Sequence, residues 1–418
     1  MNILFLSPWL PWPPFDGARI RILETLRFLS RRGHRITLLT KVRDPEEEAN
    51  SSELEGLCER VVTTIVSNQT RAVLRRLATG LVRGRPLIES FHYDSYLARQ
   101  VNRMTSQYGY DIVHVESPFL APYLCSVSPL SRARKVLSMH NIESIRFERE
   151  LQYSSPTARG FLIRSNRFFF ESWEKKSLRE FDGIAAVSEV ERAWIQHHAP
   201  AATVELVPNG VDTAYFQPTP TSEAARSIVF TGLMEHPPNV DAVTWFCDEI
   251  FPTLRRKLPG ICFTIVGRGP PPKVVELGRR EGVRVTGEVA DVRRYLAESS
   301  ALVVPLRSGG GTRLKILQAM AMGRPVVSTT LGAEGLDVTP EENILIADTP
   351  DQFVNHIIRL LASPETASRL GTAGRQLVVQ KYDWPLCLRR LESLYDRLLR
   401  DEPHPATHLA QGESALGA

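Results

Sequence analysis

From Ser308 to Val327 the chain reads S-G-G-G-T-R-L-K-I-L-Q-A-M-A-M-G-R-P-V-V, one residue, Arg307, after the apolar run A-L-V-V-P-L. Glycines without a Cβ let a backbone approach a ligand closely and expose its N–H groups. Thr312 is predicted as the N-cap of the following helix, so free amides and the positive end of the helix dipole face the same loop. An anion fits there. Side chains lean toward a helix's N-terminus, so Arg313 and Lys315 in the first turn reach forward over that anion. Cations at this end oppose the macrodipole, and a bound diphosphate removes the conflict. The plainer alternative is a Gly-rich loop before a core helix, with Leu314, Leu317 and Ala321 inward and two solvated cations outside. Three anion-binding devices coincide here, which favours the anion site.

Other residues carry weaker signals. His140 ends the apolar run K-V-L-S-M, at a strand end where α/β sheets bind ligands, although a lone histidine is commonly structural or on the surface. Glu116 and Ser117 follow D-I-V-H-V and could line a ligand cleft, but read as structural caps rather than catalysts. Asn209 and Gly210 make the turn into a hinge. Arg268 lies either at a cleft or in solvent, and Val289, just after Gly287, is a candidate for a nucleobase pocket. His197 and His198 have no ligand partners nearby in sequence and read as surface.

The elements that must position these residues repeat one pattern. N-I-L-F-L-S is a short buried strand, and a loop with Pro and Gly then leads to a helix through Ile20, Leu23, Leu26 and Leu29. Gly33 is its predicted C′ residue, and R-I-T-L-L-T is the next strand. Further strands fall at D-I-V-H-V, K-V-L-S-M and G-I-A-A-V-S, which implies a parallel sheet with crossover helices. Residues 209–226 are rich in Pro, Thr and small side chains and read as a linker. The series then restarts with S-I-V-F-T-G, a helix over Val240 to Lys257, C-F-T-I-V-G, V-R-V-T-G, A-L-V-V-P-L, P-V-V-S-T and N-I-L-I-A. The expected architecture is α/β, with two Rossmann-like doubly wound domains, 1–208 and 227–382, facing a central cleft. Residues 383–400 form a terminal amphipathic helix packing back on the first domain, and 401–418 a disordered tail.

Composition sets outer limits. A length of 418 residues favours two domains, and 43% apolar with 23% charged residues is the balance of a globular protein. A net charge of +4 names no partner. Five scattered cysteines without a C-x-x-C pair make a poor disulfide framework or zinc site, which fits a reducing cytoplasm. The apolar start lacks a basic n-region and breaks at Pro8, Pro11, Pro13 and Pro14, so it reads as a strand rather than a signal peptide. No run of about 18 apolar residues spans a bilayer. Arg71 to Arg85 holds five arginines and no acid, with Val73, Leu74, Leu77 and Leu81 roughly on one face. Two readings stand for it: a peripheral contact with an anionic membrane, or a solvated helix. Nucleic acid is not indicated, since no aromatic interleaving or known module accompanies the basic residues.

The Gly-rich segment resembles the donor motif of family 4 retaining glycosyltransferases of the GT-B fold, E-G-F-G-x-x-x-x-E-A-M-A-x-G-x-P-V-V, whose second half Q-A-M-A-M-G-R-P-V-V matches closely. Other pieces stand in the family's order: P-P-F-D-G-A-R, S-M-H-N-I-E, V-P-N-G-V-D, F-T-G-L, I-V-G-R-G-P and V-T-G-E-V-A-D-V. The resemblance runs from Met1 to about Leu399, and within the family the branch with T-R-L-K at this place is nearest. It implies transfer of a sugar from a nucleotide diphosphate donor to a glycan or lipid-linked acceptor in polysaccharide or cell-surface glycan synthesis, in the cytoplasm or at the inner face of the membrane. No cofactor or metal is implied, and no acidic pattern such as D-x-D is present. The implied donor-binding residues are Asp16, Gly17, Gly232, Leu233, Val289, Gly310, Gly311, Thr312 and Gln318; His140, Arg313 and Lys315 are the catalytic set.

Two departures stand out. The family's two glutamates fall on Gly310 and Gln318, so one position offers only backbone and the other keeps a single acceptor oxygen for a ribose hydroxyl. The family's Arg and Lys after the first strand of the second domain are absent from Gly232–Asn239, which makes Arg313 and Lys315 their natural substitutes. Three rivals follow: a non-catalytic sugar-nucleotide-binding relative, a sugar-nucleotide epimerase of the same fold, and a nicotinamide dehydrogenase, the last opposed by the missing G-x-G-x-x-G after the first strand.

Overall fold

The structure is a computed structural model that describes residues 1–66, 73–78, 90, 93–153, 169–219 and 226–400. The tail 401–418, linker residues 220–225 and all of the basic stretch except the helical 73–78 lie outside the described residues.

The first seven strands are β1 Asn2–Ser7, β2 Arg35–Val42, β3 Arg60–Ile65, β4 Ile112–Glu116, β5 Arg134–Ser138, β6 Gly183–Ala186 and β7 Thr203–Leu206. They form one parallel sheet in the order β3-β2-β1-β4-β5-β6-β7. Six more are β8 Ser227–Thr231, β9 Cys262–Val266, β10 Val283–Val285, β11 Ala301–Val304, β12 Val326–Ser328 and β13 Leu345–Ile346. They form a second parallel sheet in the order β10-β9-β8-β11-β12-β13. Both orders run outward from the first strand in two directions, the doubly wound pattern, so each sheet has a switch point where ligands bind beyond the strand C-termini. The switch points are β1/β4 and β8/β11. Near-continuous buried apolar runs such as Ile3–Leu6 and Leu302–Val304 reflect helices on both faces.

Local chemistry sets the crossover helices. Asp16 accepts from the Arg19 backbone N–H to cap the helix Gly17–Arg31, whose Ile22, Leu23, Leu26 and Leu29 face the core, and Gly33 ends it at φ +80°. The helix expected over Val240 to Lys257 begins earlier, at Pro237 after His236, and carries a π-turn at Phe246–Ile250 before Phe251–Lys257. The C-terminal helix Trp384–Arg400 crosses back to the first domain, where Leu388, Leu391, Leu394, Tyr395 and Leu398 share a core with Ile3, Phe5 and Leu26. Gly183 admits it: a Cβ there would stand 2.6 Å from Leu398 Cδ1. All five cysteines are free thiols. Among the described residues no helix is long and apolar enough to cross a membrane.

Candidate functional site

The two switch points face one another across a cleft of about 2710 Å³, several times the ~300–1,000 Å³ of a single small-ligand pocket. The wall contributed by the second domain starts with the loop after β11. Gly309 and Gly311 have φ of +107° and +70°, left-handed values that favour glycine, and the loop turns its backbone toward the first domain. A Cβ on Gly310 would meet Asn141 Oδ1 at 3.0 Å, and one on Gly311 would meet it at 2.5 Å, so the first domain's loop packs directly on this backbone.

The helix that follows spans Leu314–Ala321 and begins one residue later than the sequence suggests. Its N-cap is Arg313, at φ −93° and ψ 98°, not Thr312. Thr312 Oγ1 points instead to the hinge, where it accepts from Asn209 Nδ2 at 2.6 Å. As N-cap, Arg313 does not reach forward from the first turn; its Nη1 folds back to donate to the carbonyls of Gly310 and Gly311. Arg313 Nε and Nη2 are buried without a partner among the described residues. Burial pushes this guanidinium down to about 10, with Glu334 opposing and Arg149 adding to the shift.

Lys315 takes another direction. Its Nζ donates to Asn239 Oδ1 at 3.0 Å and lies 3.8 Å from the Phe230 ring centroid, while the Asn239 amide donates to the Leu233 carbonyl at 2.8 Å. A Cβ on Gly232 would stand 2.7 Å from Nζ, so glycine at the end of β8 makes room for the ammonium. The Lys315 charge thereby occupies the loop after β8 that carries none of its own in Gly232–Asn239 except Glu235. Burial, and then the charge of Arg313, pushes its pKa well below the ordinary lysine value.

From the first domain, Gly17 opens its helix opposite the Gly-rich loop; a Cβ on it would touch Leu314 Cδ1 at 3.4 Å. Two helix N-termini thus converge on one place, a repulsive arrangement of dipoles that a bound anion stabilises. Asp16 is engaged by its own helix, capping Arg19 N–H at 2.9 Å and pairing with the Arg19 guanidinium at 2.5 Å. Arg268 lines the cleft and its guanidinium sits 4.6 Å over the Phe15 ring, which joins the two walls near Val289. Gln318, Leu233 and Val289 also line the cleft. His197 is exposed, away from these residues.

His140 follows β5 and enters the same cleft. The sequence missed what holds it: Glu116 is wholly buried, not a cap, and its Oε2 lies 2.5 Å from His140 Nε2 while Oε1 lies 3.0 Å from His114 Nε2. Burial alone would raise this carboxyl, but its interactions with His140 and His114 outweigh it and hold Glu116 well below the usual carboxylate range. H-V-E followed 24 residues later by a strand-end histidine was the available signal. Among the described residues no group of three or more His, Cys, Asp or Glu side chains is arranged to hold a metal ion.

Two facing Rossmann-like domains with a cation-bearing, Gly-rich loop across the cleft from His140 fit a glycosyltransferase of the GT-B fold. Residues 15–215 match the family model described as Glycosyltransferase Family 4, and residues 225–363 the model described as Glycosyl transferases group 1. The chain is a glycosyltransferase of this family 4 type. It is 22% identical over 402 residues to an uncharacterized 44.6 kDa protein in the cps region of Klebsiella pneumoniae, across 91% of this chain and 96% of that one. It is 24% identical over 302 residues to the GDP-mannose-dependent alpha-(1-6)-phosphatidylinositol monomannoside mannosyltransferase of Mycobacterium tuberculosis, across 62% and 77% of the two chains. Sucrose-phosphate synthase from Thermosynechococcus elongatus has the same fold, with a TM-score of 0.69 at 19% identity over 95% of this chain and 99% of that one. Anabaena HepE in complex with UDP and glucose has it too, with a TM-score of 0.66 at 14% identity over 95% and 99%.

Proposed function

We propose that this glycosyltransferase moves a sugar from a nucleotide diphosphate sugar to a glycan or lipid-linked acceptor, without a metal ion and with retention, in polysaccharide or cell-surface glycan synthesis. The observation that carries the reading is that Lys315, Arg313 with its unpartnered donors and two helix N-termini all line one cleft between the domains. In the reaction the bond from the anomeric carbon to the diphosphate oxygen breaks, and a bond to the acceptor oxygen forms on the same face. The acceptor's proton passes to the departing phosphate. Negative charge gathers on the diphosphate, and preorganised cations and amides stabilise it in a site that excludes water. His140 contacts the donor sugar or its phosphate from the opposite wall. On Arg313 and Lys315 we also assign the chain to the branch of the family with T-R-L-K at this place.

The acceptor class is supported by the phosphatidylinositol mannoside named for the mycobacterial relative. On this reading the enzyme acts in the cytoplasm, at the inner face of a membrane, with Arg71 to Arg85 as the basic stretch for that contact. Glycine and glutamine at Gly310 and Gln318 support a second reading, a relative that binds nucleotide sugars without turnover.

Purified protein incubated with a panel of nucleotide sugars in EDTA, with and without membrane extract, should release nucleotide diphosphate. Binding without release identifies the non-catalytic relative, and neither binding nor release removes the transferase reading. Arg313→Ala and Lys315→Ala should each weaken nucleotide diphosphate binding far more than nucleoside binding; equal losses would separate the cations from the phosphates.

A further inference from the structure

Four side chains join the C-terminal helix to the cleft in a single hydrogen-bonded chain. Tyr395 Oη lies 2.6 Å from His114 Nδ1, His114 Nε2 lies 3.0 Å from Glu116 Oε1, and Glu116 Oε2 lies 2.5 Å from His140 Nε2. Tyr395, His114 and Glu116 are wholly buried, and only the His140 side chain, 15% exposed, reaches the cleft. Phe5 stacks on the His114 ring at 4.4 Å and Tyr395 meets it edge-on at 5.9 Å, so the ring has one orientation.

The protons along this chain follow from the donor and acceptor inventory. Burial pushes the Tyr395 hydroxyl well above its ordinary pKa, so it stays protonated and donates to His114 Nδ1. His114 therefore carries its hydrogen on Nε2 and donates it to Glu116. An ionised carboxylate only accepts, so His140 must also present Nε2–H to it. The remaining nitrogen, Nδ1, has no partner among the described residues. The other charge felt by Glu116 is Arg21, from the helix Gly17–Arg31, whose guanidinium donates to Asn209 and the Val207 carbonyl.

We propose that Glu116 is a positioning residue for His140, binding its Nε2–H so that Nδ1 faces the bound donor, and that Tyr395 orients Glu116 in turn through His114. The inference rests on the transferase reading for its meaning but not for its test. A ring free to turn about χ2 or to exchange tautomers would meet the sugar or phosphate in the required geometry only part of the time. A carboxylate fixed behind it removes that freedom before substrate arrives. The C-terminal helix, which follows the donor domain in sequence, thereby contributes to the acceptor-side wall of the active site.

The decisive measurement is the nitrogen NMR of histidine-labelled, full-length wild-type protein. His140 should carry its hydrogen on Nε2 with Nδ1 bare in the neutral ring; hydrogen on Nδ1 with Nε2 bare overturns the proposal whether or not any donor turns over. Glu116→Gln should then shift His140 to mixed tautomers and lower kcat by ~10- to 100-fold, with nucleotide diphosphate affinity unchanged within about twofold, since a misplaced group costs on that order. An unchanged tautomer with unchanged kcat overturns the proposal even where the transferase reading stands. If the wild type turns over no donor, that reading fails while the tautomer still decides this one.

Discussion

Asn209 Nδ2 donates to Thr312 Oγ1 at 2.6 Å, and the oxygen of the same amide accepts from Arg21 Nη1 at 2.8 Å. One hinge side chain thus ties the first helix of one domain to the Gly-rich loop of the other, with all three residues buried. The two bonds differ in what their loss leaves behind. Thr312→Val removes a neutral hydrogen bond and should cost about 1 kcal/mol, while weakening nucleotide diphosphate binding because the donor loop loses its tether. Asn209→Ala leaves a buried guanidinium short of an acceptor and should cost about 3 kcal/mol. Chemical denaturation and calorimetric binding measure both, and equal stability losses would show that Asn209 is no relay.

Lys315 should make nucleotide diphosphate binding depend on pH. Without an anion its pKa is well below the ordinary lysine value, chiefly through burial; a bound diphosphate supplies the opposite charge and raises it. Below the free-state pKa the lysine is charged in both states and contributes no pH dependence. Above it, binding must take up a proton, so affinity for UDP or GDP should fall as pH rises and calorimetry in buffers of different ionisation enthalpy should detect the uptake. Lys315→Met should abolish the uptake; persistence of the same proton count would exclude Lys315 as its source.

Gly311→Ala should act through the cleft rather than through its own loop alone. The added Cβ would stand 2.5 Å from Asn141 Oδ1 and 3.0 Å from the His140 carbonyl oxygen, the latter backbone that cannot swing aside. Gly309→Ala meets Arg313 Nη2 at 3.3 Å and Pro238 Cγ and Cβ at 3.5 and 3.6 Å, side-chain atoms at or near ordinary contact distance. Both alanines are strained by a left-handed φ, at roughly 1–3 kcal/mol each. Gly311→Ala should also push the domains apart, which small-angle scattering would register as a larger radius of gyration. If both variants scatter alike, the loop contact does not set domain closure.

What the sequence made legible was whatever is local. The strand-loop-helix units, the restart after residue 226 and the Gly-rich loop with its two cations are written in neighbouring residues, and the structure places the loop and cations on one cleft wall. What stayed hidden depends on partners far away in the chain. Thr312 is a good N-cap by type, but Asn209 takes its hydroxyl from 103 positions away. Glu116 looks like a strand-end cap until the fold buries it between two histidines and puts Tyr395, 281 positions from His114, behind them. Lys315 has the reach for several directions, and only the missing Cβ of Gly232 selects one. The π-turn at Phe246–Ile250 leaves the apolar pattern helical throughout, so it is invisible to periodicity.

Glu191 should make the fold lose stability as pH rises. The carboxyl is buried beside the donor loop, with Oε2 accepting the Val187 N–H at 3.1 Å, and burial pushes it up to about 8 against the opposing pull of that bond and of Arg21. The unfolded chain gives up the same proton near the ordinary value of 4.5. Between these limits the folded state holds a proton that the unfolded state lacks, so stability is fully present at the acid end and declines until the folded group ionises. The decline is bounded by ~1.4 kcal/mol per pH unit. Glu174, pushed to about 7, works in the same direction, so the wild-type curve alone does not isolate one group. Glu191→Gln preserves the shape and the acceptor of the protonated form but cannot ionise. Denaturation at pH 5 and pH 8 should therefore show a smaller fall for the variant than for the wild type, the two curves meeting at the acid end. Parallel curves would mean that Glu191 ionises in the folded protein as it does in the unfolded one.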